Sequence, residues 1–152
     1  MRLPEQKLYD WVQRKIGHTT FLERVENRVK KDTPDLYVVT KHGQALRPRP
    51  LQGWIELKVL EAFPARATTT VKLHNWTTGQ RYWTLRHRQH GGHCWIVVAV
   101  EAAQKVYVFD AAELAQHESA WTAQDWGTFG QVLDRRNAST TQVLDALAEC
   151  VL

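Results

Sequence analysis

The seven residues Cys94-Trp95-Ile96-Val97-Val98-Ala99-Val100 form an unbroken apolar run. A strand that meets water on one side alternates apolar and polar side chains, so a continuous run predicts a strand buried on both faces. Such a strand needs a covering layer above and below its sheet, and the chain supplies helices to make them. Pro4 through Ile16 predicts a helix, with Pro4 in its first turn and Leu8, Trp11, Val12 and Ile16 on one face, ended by Gly17-His18. A second helix is expected from Thr20, where Thr20-x-x-Glu23 has the form of a capping box. Phe21, Leu22, Val25 and Val29 would be its buried stripe, and Lys30 to Pro34 its end. A third is expected from about Gly79 to Gln89, capped by Thr77 or Thr78 and stopped by Gly91-Gly92. Ala111 to His117, a Trp/Gly-rich connector and a last helix opening on Ser139-x-x-Gln142 complete the set.

Between the helices lie the other strands. Asp35 to Thr40 is rich in β-formers, and Trp54 to Val59 is expected to pair with it as a hairpin. The hairpin encloses a loop from Gln44 to Gln52 that carries Arg47-Pro48-Arg49-Pro50, either a DNA-contacting loop or a stiff, solvated tip. A short third strand is expected around Thr69 to Leu73, and Lys105 to Asp110 reads as the last strand. The fold class is therefore α/β, a mixed sheet flanked by helices. The 152 residues suit one domain, with a core over about 20–110 and a helical extension over 111–152.

Charge is unevenly spread. Residues 41–100 hold nine basic and two acidic side chains, whereas residues 101–152 hold three and eight. No carboxylate falls between Glu61 and Glu101, and Arg66, Lys72, Arg81, Arg86 and Arg88 all do. Such a surface attracts a polyanion, with a nucleic-acid backbone the obvious one; an ordinary solvated basic face is the plainer alternative. No apolar run approaches the roughly 18 residues of a membrane span, and Met1 to Gln6 lacks a secretion-signal core, so a cytoplasmic location is expected. Cys94 and Cys150 read as buried thiols, with no disulfide expected in a reducing compartment.

The chemistry concentrates in the second strand. Alternation puts Ile55, Leu57 and Val59 on one face and Glu56 and Lys58 on the other. A carboxylate and an ammonium in an otherwise apolar strand are costly unless paired or used. Glu-x-Lys alone is a common tripeptide, readily an exposed ion pair. Pro34-Asp35 changes the weighing, because the start of the first hairpin strand lies beside the end of the second. Asp35, Glu56 and the Leu57 carbonyl would then form an all-oxygen site suited to Mg²⁺. A metal there lowers the pKa of a bound water and neutralises a scissile phosphate, while Lys58 orients or deprotonates that water.

Pro34-Asp35 followed by Glu56-Leu57-Lys58 resembles the PD-(D/E)xK nuclease signature, and more narrowly the VRR-Nuc and phage Holliday-junction-resolvase-like branch. The similar stretch runs from about Glu23 to Phe109. It includes Glu23-Arg24-Val25-Glu26-Asn27, Thr33-Pro34-Asp35-Leu36, Gly53-Trp54 ahead of the Glu-x-Lys, Gln80-Arg81-Tyr82-Trp83 and Gly91-Gly92. The resemblance implies a restriction-endonuclease-like core of order αβββαβ. It also implies a Mg²⁺-dependent DNA endonuclease (with Mn²⁺ as a substitute) acting in phage or bacterial recombination, repair or replication, with branched DNA a candidate substrate and a homodimer the usual assembly. The family adds a carboxylate from the preceding helix; Glu26 is favoured, since Glu23 has a competing job in the capping box. A glutamine at the position of Gln80 contributes to related sites, though plain helix-start chemistry explains it equally. The five cations at positions 66, 72, 81, 86 and 88 are assigned to DNA phosphates. The interstrand loop is longer than the short turn usual in the family.

Other readings are weaker. His87, His90, His93 and Cys94 invite a zinc site but lack the spacing of a closed one. No nucleophile elbow, P-loop or dinucleotide-binding glycine pattern occurs. The remaining rival is a non-catalytic nucleic-acid-binding module on the same fold. The segment around Trp121, Trp126 and Phe129 would either form a dimer interface or close the core.

Overall fold

A computed structural model describes residues 3–25, 31–44 and 49–151. Along the chain the elements are α1 (Pro4–Ile16), β1 (Phe21–Arg24), β2 (Leu36–Thr40), β3 (Leu51–Leu60), α2 (Thr78–Gln89), β4 (Cys94–Val100), β5 (Lys105–Asp110), α3 (Ala111–His117), α4 (Ala123–Phe129), β6 (Gln131–Asp134) and α5 (Thr140–Glu149). The six strands form one sheet in sequence order, β1 to β6. Every neighbouring pair is antiparallel except β3 and β4, which run parallel and are joined through α2.

All seven residues of β4 are buried, as an unbroken apolar run requires. Trp95, Val97 and Ala99 point to the layer made by α1 and α5, while Cys94, Ile96, Val98 and Val100 point to the layer made by α3, α4 and the segment around Val71–Trp76. The sheet thus has an apolar core on each face. Trp95 is tied to the first layer by its indole N–H, which donates to the Leu147 carbonyl at 2.8 Å.

Four sequence expectations change. Thr20 starts no helix: its hydroxyl donates back to the Ile16 carbonyl at 2.7 Å, and Phe21–Arg24 pairs with Val39–Leu36 as edge strand β1. Pairing to a distant strand outweighs the local capping pattern. The Thr69–Leu73 segment is not a strand; a single bridge joins Thr70 to Thr122, and Val71 and Leu73 are held by burial. The connector after α3 contains helix α4. It also contains β6, which pairs with β5 and makes the sheet's far edge, so Lys105–Asp110 is not the last strand and the extension is not purely helical.

Trp121 and Trp126 close the second core rather than facing outward, while Phe129 remains half exposed, stacked on Trp121 with centroids 4.8 Å apart. Among the described residues no helix is long and apolar enough to cross a membrane.

Gly53, on β3, marks a close approach of backbone to backbone. A Cβ there would lie 2.5 Å from the His93 carbonyl oxygen and 2.9 Å from the Trp95 ring. That carbonyl accepts the Trp54 N–H at 3.1 Å, the first bond of the parallel pair. Gly53→Ala is therefore expected to destabilise the fold by about 2 kcal/mol, read as a lowered urea midpoint at unchanged slope.

Candidate functional site

The site forms where β3 outruns β2. The β2–β3 register ends at the pair Leu36 and Ile55, yet β3 continues to Leu60. The next inward N–H on that edge belongs to Leu57, and it donates to the Asp35 carboxylate (Oδ2) at 2.9 Å. A side-chain oxygen thus takes the place of the missing strand's carbonyl. The Asp35 carbonyl meanwhile accepts the Val25 N–H at 2.8 Å, fixing the residue between β1 and β3. Because the N–H and C=O of a strand residue point the same way, the Leu57 carbonyl faces the same open edge.

Glu56 and Lys58 lie on the opposite sheet face from Leu57, as the alternation predicts. They are not an exposed pair: Glu56 is 3% and Lys58 5% exposed. The Lys58 ammonium sits 3.3 Å from Glu56 Oε1 and donates to the Asn75 carbonyl at 2.9 Å. Gln80 does the helix-start work that the sequence offered, and its amide also reaches Glu56. Its Oε1 accepts the Thr77 N–H at 3.0 Å in a complete capping box, and its Nε2 donates to Glu56 Oε1 at 3.4 Å, a long bond.

Burial first, and the Asp35 charge second, push the Glu56 carboxyl from its ordinary 4.5 up to about 8; Lys58 pulls the other way, and Glu5 adds to the rise. Glu5 is a site residue that sequence reasoning missed. It stands in the first turn of α1 and accepts a hydrogen bond from the Asn75 side-chain amide at 2.9 Å. Since Phe21–Arg24 is a strand, α1 is the helix that precedes the sheet among the described residues, and Glu5 is its carboxylate nearest Glu56 in effect. Glu23 is exposed on β1 opposite Tyr37 and caps nothing. Glu26 lies outside the described residues.

A cleft of about 700 Å³ opens at the free edge of β3, lined by Glu5, Tyr9, Arg24, Asp35, Leu57 and Glu61 among others. Glu56 is not among the lining residues; it adjoins the lining residue Leu57 in β3. Among the described residues no three His, Cys, Asp or Glu side chains are grouped closely enough to hold a metal ion. Asp35 sits on the Leu57 N–H and close enough to Glu56 for its charge to raise the Glu56 pKa.

The basic stretch is less free than its sequence suggests. Arg81 pairs with buried Glu118 and stacks on Trp76, and Arg88 pairs with Asp110, so carboxylates distant in sequence neutralise two of the five cations. Arg66, Lys72 and Arg86 are exposed. Of the residues that invited a zinc site, His87 stacks on Trp83, His93 packs edge-on against Trp95, and Cys94 is buried beside Thr84. Burial lowers the His93 pKa to about 4 despite nearby Asp110.

Compared with known proteins, the sequence matches no family model, and no curated protein matches it significantly.

The Glu56 shift has a thermodynamic consequence. An acid whose folded pKa is raised favours folding most below its unfolded value, near 4.5, and loses that contribution as pH climbs through about 8. Glu56→Gln should therefore melt higher than wild type at pH 8, by about 5 °C, with the gap closing at pH 4.5. Thermal melts of both proteins across that range check it; a gap that stays constant with pH contradicts a neutral buried Glu56.

Proposed function

We propose that this chain is a divalent-cation-dependent nuclease that hydrolyses phosphodiester bonds in DNA. The observation that carries the reading is the buried Glu56 carboxyl, held near-neutral beside Asp35 at an unpaired strand edge, with Lys58 and Gln80 on the same oxygen. A structural ion pair has no need of a second carboxylate that raises the first one's pKa. A divalent cation between them would relieve that repulsion, and all donors on offer are hard oxygens, the kind Mg²⁺ prefers. The order α1-β1-β2-β3-α2-β4 supports a restriction-endonuclease-like core of αβββαβ type.

Asp35, Glu56 and the Leu57 carbonyl are the residues that would hold Mg²⁺ or Mn²⁺. When bound, such a cation supplies charge neutralisation at the scissile phosphate and acidifies a water. The chain's own groups do the rest. Lys58 places a fixed positive charge where the pentavalent phosphate gathers negative charge, and its amine is positioned to orient the attacking water. Gln80 holds the Glu56 carboxylate in place. Glu5, through Asn75, anchors the strap that bears on Lys58. Arg66, Lys72 and Arg86 remain available for the DNA backbone at a distance.

DNA cleavage that requires Mg²⁺ or Mn²⁺ and stops on chelation is the expected behaviour. Asp35→Asn and Glu56→Gln should each lower the rate by about a hundredfold or more. Junction, flap and linear DNA assayed side by side give the preference, and sedimentation shows whether the active form is a homodimer. DNA binding by wild type without cleavage of any substrate in either metal would falsify the enzyme and identify a non-catalytic nucleic-acid-binding module.

The Glu56 carboxyl also sets a pH signature. Binding a cation there displaces a proton, so at subsaturating Mg²⁺ the rate should climb as pH rises through about 8. Raising Mg²⁺ should move that limb to lower pH. A limb that ignores Mg²⁺ concentration assigns the titration to another group.

A further inference from the structure

Arg24 is the last residue of β1 and pairs in register with Leu36, which sets it one residue from Asp35 on the neighbouring strand. Its side chain reaches toward α1 across the cleft. There the guanidinium carbon lies 4.7 Å from the Tyr9 ring centroid, and Nη1 donates to Gln6 Oε1 at 2.9 Å. Both partners are uncharged, and among the described residues no carboxylate lies within ion-pair distance of Arg24. This contrasts with Arg81 and Arg88, whose charges are spent on Glu118 and Asp110. Among the described residues that line the cleft, Arg24 is the one cation, and Glu5, Asp35, Glu61 and Glu101 are the carboxylates.

An arginine beside four carboxylates that pairs with none, yet is held by an aromatic face and an amide, has its geometry set and its charge left available. Among the described residues its N–H donors meet only Gln6, through Nη1, which leaves donors to offer the two non-bridging oxygens of a phosphate, and a planar guanidinium grips these bidentately. A carboxylate-lined cleft repels a polyanion, so the strand needs a local cation to bring a phosphate to the free edge of β3. Building on the nuclease reading above, we propose that Arg24 is a phosphate-binding residue of the cleft, aligning the DNA backbone with Asp35 and the Leu57 edge. Tyr9 and Gln6 are its positioning residues.

The test compares wild type with Arg24→Gln, Arg24→Lys and Gln6→Ala. Binding of a fluorescein-labelled linear duplex is titrated over a salt series with Ca²⁺ in place of Mg²⁺, and cleavage is followed separately with Mg²⁺. Arg24→Gln is expected to weaken binding by about tenfold and to reduce the slope of log affinity against log salt by about one. In cleavage the same variant should raise KM far more than it lowers kcat. Arg24→Lys should restore the salt slope but only part of the affinity, because an ammonium cannot grip bidentately. Gln6→Ala keeps the charge and should weaken binding by only about two- to fivefold, with the slope intact. Arg24 is exposed, so its variants are expected to fold, and thermal melts check that they do.

If wild type cleaves DNA and Arg24→Gln matches it in affinity, salt slope and KM, the Arg24 assignment is overturned and the nuclease reading stands. If wild type never cleaves but Arg24→Gln still loses affinity and one unit of slope, the assignment stands and the nuclease reading falls. A wild type that binds no DNA overturns both.

Discussion

Everything at the site depends on a mismatch of lengths. β3 has ten residues and β2 has five, so half of β3 has no partner on that side. Backbone donors stranded inside a protein cost free energy unless something accepts them. Asp35 accepts the Leu57 N–H, and in doing so brings a carboxylate to the one strand that already carries Glu56 and Lys58. Had β2 continued two residues further, a backbone carbonyl would occupy that place and the edge would be sealed. Pro34, which donates no backbone hydrogen bond, stands immediately before Asp35 and suits a strand that stops there.

Around that edge the protein tolerates an unfavourable arrangement of charge. Glu56 is nearly fully buried and sits close enough to Asp35 to feel its charge, with Lys58 compensating only in part. The neighbouring elements are all arranged to hold this cluster rather than to disperse it. α2 starts at Gln80's capping box, the strap brings the Asn75 carbonyl to the Lys58 ammonium, and α1 brings Glu5 to the Asn75 side chain. The start of α2 and the residues just before it bond directly to Glu56 and Lys58, and α1 reaches them through Asn75. The rest of the molecule surrounds β4 with an apolar core on either side.

What was legible in the sequence follows from range. α1, α2, α3 and α5 announced themselves through apolar spacing and caps, and β2 to β5 through runs of β-formers, because those signals lie within a few neighbouring residues. β1 and β6 did not, being four-residue edge strands whose bonds all go to residues far along the chain. Thr20-x-x-Glu23 even carried the opposite local signal. With Phe21–Arg24 read as helix, α1 was not seen as the helix that borders the sheet, and Glu5 in its first turn carried no signal of its own. The pairings of Arg81 with Glu118 and Arg88 with Asp110 were invisible for the same reason: charge counted along a sequence ignores what folding lays beside it. Asp35, Glu56, Lys58 and Gln80 were found because their meeting needed only a hairpin and one crossover helix.

Gln80 has a consequence beyond holding Glu56. One amide spans two structures, its oxygen closing the first turn of α2 and its nitrogen resting on the Glu56 carboxyl. α2 in turn is the crossover that sets β3 parallel to β4. The charge state of a single buried acid is thereby wired to the start of the helix that builds the sheet.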